Sequence, residues 1–119
     1  MEWEILFDLD FNQWFEALPL GLQDEIWACI ELLRRFGPNL GRPRVDTVQS
    51  SSFSNMKELR IQYRGDPWRI FFAFDPHQNA IMLVGGNKRG KKEKRWYRDQ
   101  IRIADERFRR YLHTLSEEE

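Results

Sequence analysis

The sequence predicts an α+β fold: a small antiparallel β-sheet, built of a meander plus an N-terminal strand, packed with two N-terminal helices and one C-terminal helix. Three observations point to it. Apolar residues recur with a period near 3.6 before residue 37 and again after residue 93, and with a period near two between residues 56 and 64. Turn-forming Gly, Pro, Asp and Asn residues divide the middle of the chain into three short strands. A chain of 119 residues, 41% apolar and 32% charged, suffices for one buried core and not for two.

In chain order, residues 2–7 begin as an alternating pattern and predict a strand. Asp8 or Asp10 caps a short helix around residues 11–17. Pro19 suits the first turn of a longer helix. Leu22, Ile26, Cys29, Ile30 and Leu33 form its apolar stripe, and Gly37-Pro38 ends it. Residues 39–52 read as a loop. In the strand at residues 56–64, Lys57, Leu59, Ile61 and Tyr63 face one way and Glu58, Arg60, Gln62 and Arg64 the other. Turns at 65–67 and 75–79 separate two further strands, 68–74 and 80–86. From about residue 93 a helix places Tyr97, Ile101, Ala104, Phe108, Tyr111 and Leu115 on one face. The three helices are expected to cover one face of the sheet. Residues 1–115 read as a single domain and 116–119 as an acidic tail.

The formal net charge is zero, but the charges are segregated. Residues 1–33 hold eight acids and no Lys or Arg, whereas residues 87–110 hold eleven bases against four acids. Such asymmetry suits a polyanionic partner or a solvated surface whose charges pair internally. The sequence has a single cysteine, so it offers neither an internal disulfide nor a cysteine-based zinc site. It has no run of 18 apolar residues and no basic leader, so a membrane span and a signal peptide are not expected. A cytoplasmic protein without cofactor or metal is the expectation.

Residues 85–92, GGNKRGKK, nearly match the phosphate-binding pattern G-x-x-x-x-G-K-[ST], but Lys92 replaces the hydroxyl that would hold magnesium, and no βαβ context surrounds them. A basic glycine-rich turn can still offer donors to a nucleic-acid backbone. His77 in a turn and His113 near the end of the last helix are poorly placed for catalysis. Cys29, on an apolar helical stripe, reads as a buried structural residue. The informative set is Arg60 and Arg64 on one strand face, Arg69 among phenylalanines on the next strand, Lys88 and Arg89 after the third, and Lys94-Arg95-Trp96-Tyr97 opening the last helix. An arginine in so apolar a strand is paired or reaches water, so Arg69 either pairs with Glu58 across the strands or lines an open anion site. Tyr97 either packs in the core or shows its hydroxyl at that site. Cations interleaved with aromatics suit phosphates and bases.

The order of elements, the Leu59-Arg60…Trp68-Arg69-Ile70-Phe71-Phe72 pattern, and Leu83-Val84-Gly85-Gly86-Asn87-Lys88…Lys94-Arg95-Trp96-Tyr97 resemble the RelE/ParE toxin superfamily, in its HigB-like, phage-derived Gp49-like branch. The resemblance covers residues 1 to about 112. It implies the RelE-like form of the predicted fold and one half of a type II toxin–antitoxin pair. RelE and HigB toxins cleave messenger RNA in the ribosomal A site, while ParE toxins of the same fold act on DNA gyrase. By this resemblance Arg60, Arg69, Lys88 and Tyr97 are catalytic, and Arg64, Arg89, Lys91, Lys94, Arg95 and Trp96 bind RNA. Gln62 stands where RelE has lysine, which leaves the general base unassigned. The implied partners are ribosome-bound mRNA and a HigA-like helix-turn-helix antitoxin, with translation inhibited as the outcome. A ParE-like gyrase inhibitor and a non-catalytic nucleic-acid- or protein-binding module are the alternatives.

Overall fold

The computed structural model describes residues 2–118. Its chain runs β1 (Glu4–Phe7), α1 (Leu9–Glu16), α2 (Leu20–Phe36), a 3₁₀ turn (Gly37–Asn39), β2 (Val45–Thr47), β3 (Met56–Tyr63), β4 (Asp66–Phe74), β5 (Asn79–Asn87) and α3 (Glu93–Glu118). The five strands form one sheet in the order β1-β5-β4-β3-β2. The meander β3-β4-β5 is antiparallel, as the alternation predicts. β1 pairs in parallel with β5, and β2 is an antiparallel edge strand inside the segment read as a loop.

Helices cover both faces of the sheet, not one. On the first face, α1 and α2 bury Phe11, Phe15, Leu22, Ile26, Ile30 and Leu33 against Leu59, Ile61, Ile70 and Phe72. On the second, α3 buries Ile101, Ala104 and Phe108 against Met56, Phe71, Ala73 and Leu83. The near-continuous apolar run of β4 follows from this. A strand buried on both sides has no solvent face to keep polar.

Local chemistry sets the boundaries. The Asp8 carboxylate caps α1 by accepting from the backbone N–H groups of Asp10 and Phe11 at 3.0 and 3.2 Å. Pro19 is the N-cap residue of α2, and Gly37, at φ 52°, ends that helix by donating to the Leu33 carbonyl. Arg64 and Gly65 both have positive φ (50° and 81°), the requirement of a type I′ two-residue hairpin. β3 therefore ends at Tyr63, and Asp66-Pro67, read as part of the turn, already belongs to β4. α3 continues through residues 116–118, so the described part of the acidic tail is helical.

A β-bulge opposite Phe71/Phe72 turns both Leu83 and Val84 toward α3. Beyond it Gly85 and Gly86 lie on opposite faces, each under an indole ring. A Cβ on Gly85 would lie 2.6 Å from Trp14, and one on Gly86 3.2 Å from Trp96. These two glycines of the phosphate-loop-like stretch are packing residues within a strand. Asp75 ties the far part of α3 to the β4–β5 turn. It accepts from the Tyr111 hydroxyl at 2.5 Å and from the backbone N–H groups of His77 and Asn79 at 2.8 Å.

Gly85→Ala should cost about 1–3 kcal/mol, because Trp14 has to leave its seat; a urea unfolding curve measures it. Burial pushes the Asp75 carboxyl up, but hydrogen bonds from Tyr111, Asn79 and His77 outweigh it and hold the group below the usual aspartate range. Its folded pKa is depressed, so its stabilisation is present above the unfolded value and is lost as pH falls through the folded one. Thermal melts at about pH 6 and about pH 3 should therefore differ less for Asp75→Asn than for the wild type.

Candidate functional site

β3 and β4 pair Arg60 directly with Arg69. Like charges opposite each other destabilise a sheet unless something neutralises them. Glu58, two residues earlier on the same face of β3, does so. Its Oε1 accepts from Arg60 Nε at 3.0 Å and lies 3.7 Å from Arg69 Nε. The Glu58 side chain is 6% exposed, Arg69 10% and Arg60 35%, so the glutamate and one arginine are buried while the other arginine reaches solvent. A second carboxylate, Asp46 on β2, holds the outer end of Arg60 at 3.2 Å.

α3 closes this cluster from above. The Tyr97 hydroxyl donates to Glu58 Oε1 at 3.2 Å, and its ring packs edge-on against Phe71. Lys88, in the connection from β5 to α3, places Nζ 5.4 Å from the centre of the Tyr97 ring and 3.1 Å from Glu93 Oε1. Burial, together with the charge of Glu58 and its hydrogen bond, pushes the Tyr97 hydroxyl up to about 12, with Arg69 pulling weakly the other way. Tyr97 is therefore a neutral hydrogen-bond donor at physiological pH and not a base. Both hydrogen bonds that the Glu58 carboxylate accepts go to Oε1, which leaves Oε2 without one among the described residues, while the buried Arg69 Nε, 3.7 Å from Oε1, makes no hydrogen bond.

Glu58, Arg60 and Tyr97 line a groove of about 1190 Å³ between α3 and residues 46–52. Arg69 does not line this groove. Of its two expected settings, the pairing with Glu58 is the one found, and it lies behind the glutamate, with Nη1 on the Trp68 carbonyl at 3.0 Å. The four residues expected to catalyse are thus adjacent: Arg60, Arg69 and Tyr97 converge on Glu58, while Lys88, which does not line the groove, lies over the Tyr97 ring and pairs with Glu93.

The residues expected to bind RNA scatter. Arg64 sits in the hairpin turn with its guanidinium 5.4 Å from the Tyr63 ring, whose edge packs against α2 on the other face of the sheet. Its positive φ breaks the alternation that would have set it beside Arg60. Arg89 grips the Asp66 carboxylate and the Gly65 carbonyl and braces the hairpin tip. Trp96 packs on Phe71 and over Gly86, which commits its ring to the core. Lys91 and Arg95 are exposed outside the groove, and Lys94 lines it. His77 and His113 lie elsewhere, the latter pairing with Glu117. Cys29 is buried, and burial raises its thiol pKa. Sequence reasoning missed the central position of Glu58. The signal was there: an acid sharing a strand face with Arg60, one diagonal step from Arg69. Arg98 and Arg102, which line the groove, were also missed, although they continue Lys94 at four-residue spacing.

A five-stranded, mostly antiparallel sheet with two N-terminal helices on one face and a C-terminal helix on the other is a RelE-like α+β fold. Two solved structures share that fold. One is the RelBE2 toxin–antitoxin complex of Mycobacterium tuberculosis, with TM-score 0.55, 12% identity, and 73% of this chain and 99% of that chain covered. The other is a doubly substituted Escherichia coli toxin RelE in the free state, with TM-score 0.55, 10% identity, and 85% and 99% covered. The family model described as phage derived protein Gp49-like matches residues 13–109, and the chain belongs to that family. It is homologous to two M. tuberculosis proteins named as HigB toxins. HigB3 is 49% identical over 101 residues, 85% of this chain and 86% of that protein. HigB2 is 46% identical over 102 residues, 85% of this chain and half of that longer protein.

Folding favours the protonated Tyr97, so its contact with Glu58 stabilises the chain below the ordinary tyrosine pKa and is lost as pH rises toward about 12. An ultraviolet titration of tyrosinate should show two tyrosines ionising late, Tyr97 and Tyr111, the latter pushed up by burial and by Asp75, and Tyr97→Phe should remove one of the two.

Proposed function

We propose that this chain is the toxin of a type II toxin–antitoxin pair and acts as a metal-free mRNA endonuclease that works on the ribosome and inhibits translation. The observation that carries the reading is the buried Glu58 lining an open groove, hydrogen-bonded by Arg60 and the Tyr97 hydroxyl and with the Arg69 guanidinium 3.7 Å away. The HigB relatives and the RelE-like fold support it.

In this reading the substrate's 2′-hydroxyl attacks the adjacent phosphorus, and the products are a 2′,3′-cyclic phosphate and a 5′-hydroxyl. Arg60, the exposed member of the arginine pair, forks onto the non-bridging phosphate oxygens and stabilises their added charge. Glu58 takes the 2′ proton through Oε2, the oxygen without a partner, which supplies the base that Arg60 and Gln62 cannot. The Lys88 ammonium gives a proton to the departing 5′ oxygen, and solvent resets both groups. Arg69 and Tyr97 act through Glu58: they fix Oε1 and so aim Oε2 into the groove. Alignment of the message by the ribosome contributes much of the rate, since positioning is worth up to about 7–11 kcal/mol.

An antitoxin partner agrees with the RelBE2 toxin–antitoxin complex that shares the fold. A HigA-like helix-turn-helix protein is the proposed type. The described helices include none long and apolar enough to cross a membrane, which suits a toxin working on cytoplasmic ribosomes.

Brief expression followed by mapping of RNA 5′ ends should show cuts in phase with codons. Glu58→Gln should lower cutting by about 10²–10⁴-fold while circular dichroism and antitoxin co-purification stay unchanged. DNA breaks without RNA cuts would replace this reading with gyrase poisoning. A folded Glu58→Gln protein that still cuts would remove Glu58 from the base role.

A further inference from the structure

The groove extends well beyond the Glu58 cluster, along a face of α3 that the proposed chemistry does not use. Lys94, Arg98 and Arg102 line it, separated by four residues each. A helix rises about 1.5 Å per residue, so these cations recur about every 6 Å along one stripe. All three are exposed and make no ion pair among the described residues. Farther along, the Arg109 guanidinium stands 5.5 Å from the Phe53 ring at the groove wall.

The lining also contains five acids, and most are already engaged. Asp46 holds Arg42 and Arg60, Glu58 holds Arg60 and Arg69, and Glu93 holds Lys88. Asp105 is buried and accepts from the Ser51 hydroxyl and the Ser52 N–H at 2.5 and 2.9 Å. Among the described residues neither Glu106 nor Asp105 is paired with a cation, so two uncompensated acids face four cations without an ion pair, Lys94, Arg98, Arg102 and Arg109, and the groove keeps a surplus of positive charge. Asp105 does a second thing: it pins residues 51–52 to α3, so the opposite wall stands ready with uncharged donors, Gln49, Ser50 and Ser52. The apolar lining residues, Val48 and Ile101, are buried. A phosphate chain needs spaced cations and neutral donors, and the two walls of this groove supply both.

We propose that this groove is the track for the single RNA strand flanking the scissile linkage, with Lys94, Arg98 and Arg102 taking successive phosphates. The proposal rests on the endonuclease reading for its direction: a strand laid along the stripe passes Arg60 and Glu58 at the level of Tyr97, which stands between Lys94 and Arg98 on α3.

The test uses a fluorescent single-stranded RNA of about twelve nucleotides, 2′-O-methylated throughout so that it binds without being cut. Its affinity is followed by anisotropy over a salt series with the full chain and with Arg98→Gln/Arg102→Gln, whose exposed positions leave the core untouched. The double variant should bind at least about tenfold more weakly at low salt. The slope of log K against log salt should shrink by about 1.4, two lost phosphate contacts at about 0.7 each. Equal affinity and slope, or no binding by the wild type, would overturn the track. Loss of antitoxin co-purification with RNA binding intact would overturn it in favour of a protein interface. Codon-phased cuts by the wild type, mapped in parallel, report on the endonuclease reading separately. A double variant that loses the oligonucleotide supports the track whether or not those cuts are found.

Discussion

Everything at the centre of this molecule is arranged around one carboxylate. The register of β3 on β4 sets two arginines face to face under a helix, a placement that would push the strands apart if left unneutralised. Glu58 makes that register tenable, and in doing so it becomes the point where Tyr97 attaches α3 to the sheet. A buried charge group of this kind is costly to break, because removing one partner strands the others in a dry setting, typically at about 3–5 kcal/mol. The same contact therefore holds the helix down and orders the groups that line the groove.

The sheet is built to receive layers on both sides, and small residues decide how closely they approach. Gly85 and Gly86 admit an indole from each face, and the bulge at Leu83–Val84 supplies two consecutive apolar residues to α3. α3 is then fastened at three levels: Tyr97 to Glu58, Asp105 to residues 51–52, and Tyr111 to Asp75. Between these, Arg107 donates to the Leu83 carbonyl at 2.8 Å. A helix fixed along its length makes one wall of the groove rigid, and Asp105 extends that rigidity to the other wall.

Much of this was legible in the sequence wherever the signal was local. The 3.6 period of Leu22, Ile26, Cys29, Ile30 and Leu33 marked the buried stripe of α2 residue for residue. Alternation located β3, and turn chemistry separated the meander strands to within one or two residues. What escaped was non-local. Three residues are too few for β2 to show a period, and nothing in residues 4–7 encodes that their partner β5 runs parallel. The covering of both faces was written in the apolar density of β4, but a small sheet with one covered face was the simpler reading. At the site, Arg60, Arg69, Lys88 and Tyr97 were legible as a set. Arg64 was misplaced because a hairpin with two positive-φ residues reverses the direction its position in the pattern implies. Glu58 was legible as a cross-strand partner for Arg69, but not as the acid that Arg60 and Tyr97 also reach, because those contacts depend on its burial under α3.

Asp8 also joins the two ends of the described chain. While capping α1 it lies 3.0 Å from Arg110, and Arg107 stands 3.8 Å away. β1, likewise, finds its partner only when β5 exists. During synthesis, then, the first helix emerges long before the side chains that secure it, and contacts so distant in sequence form late. Tyr97 belongs to the same late-arriving helix. A nascent chain still lacking α3 has Glu58 and both arginines but no Tyr97 over them, so the cluster is completed only once the last helix has been made.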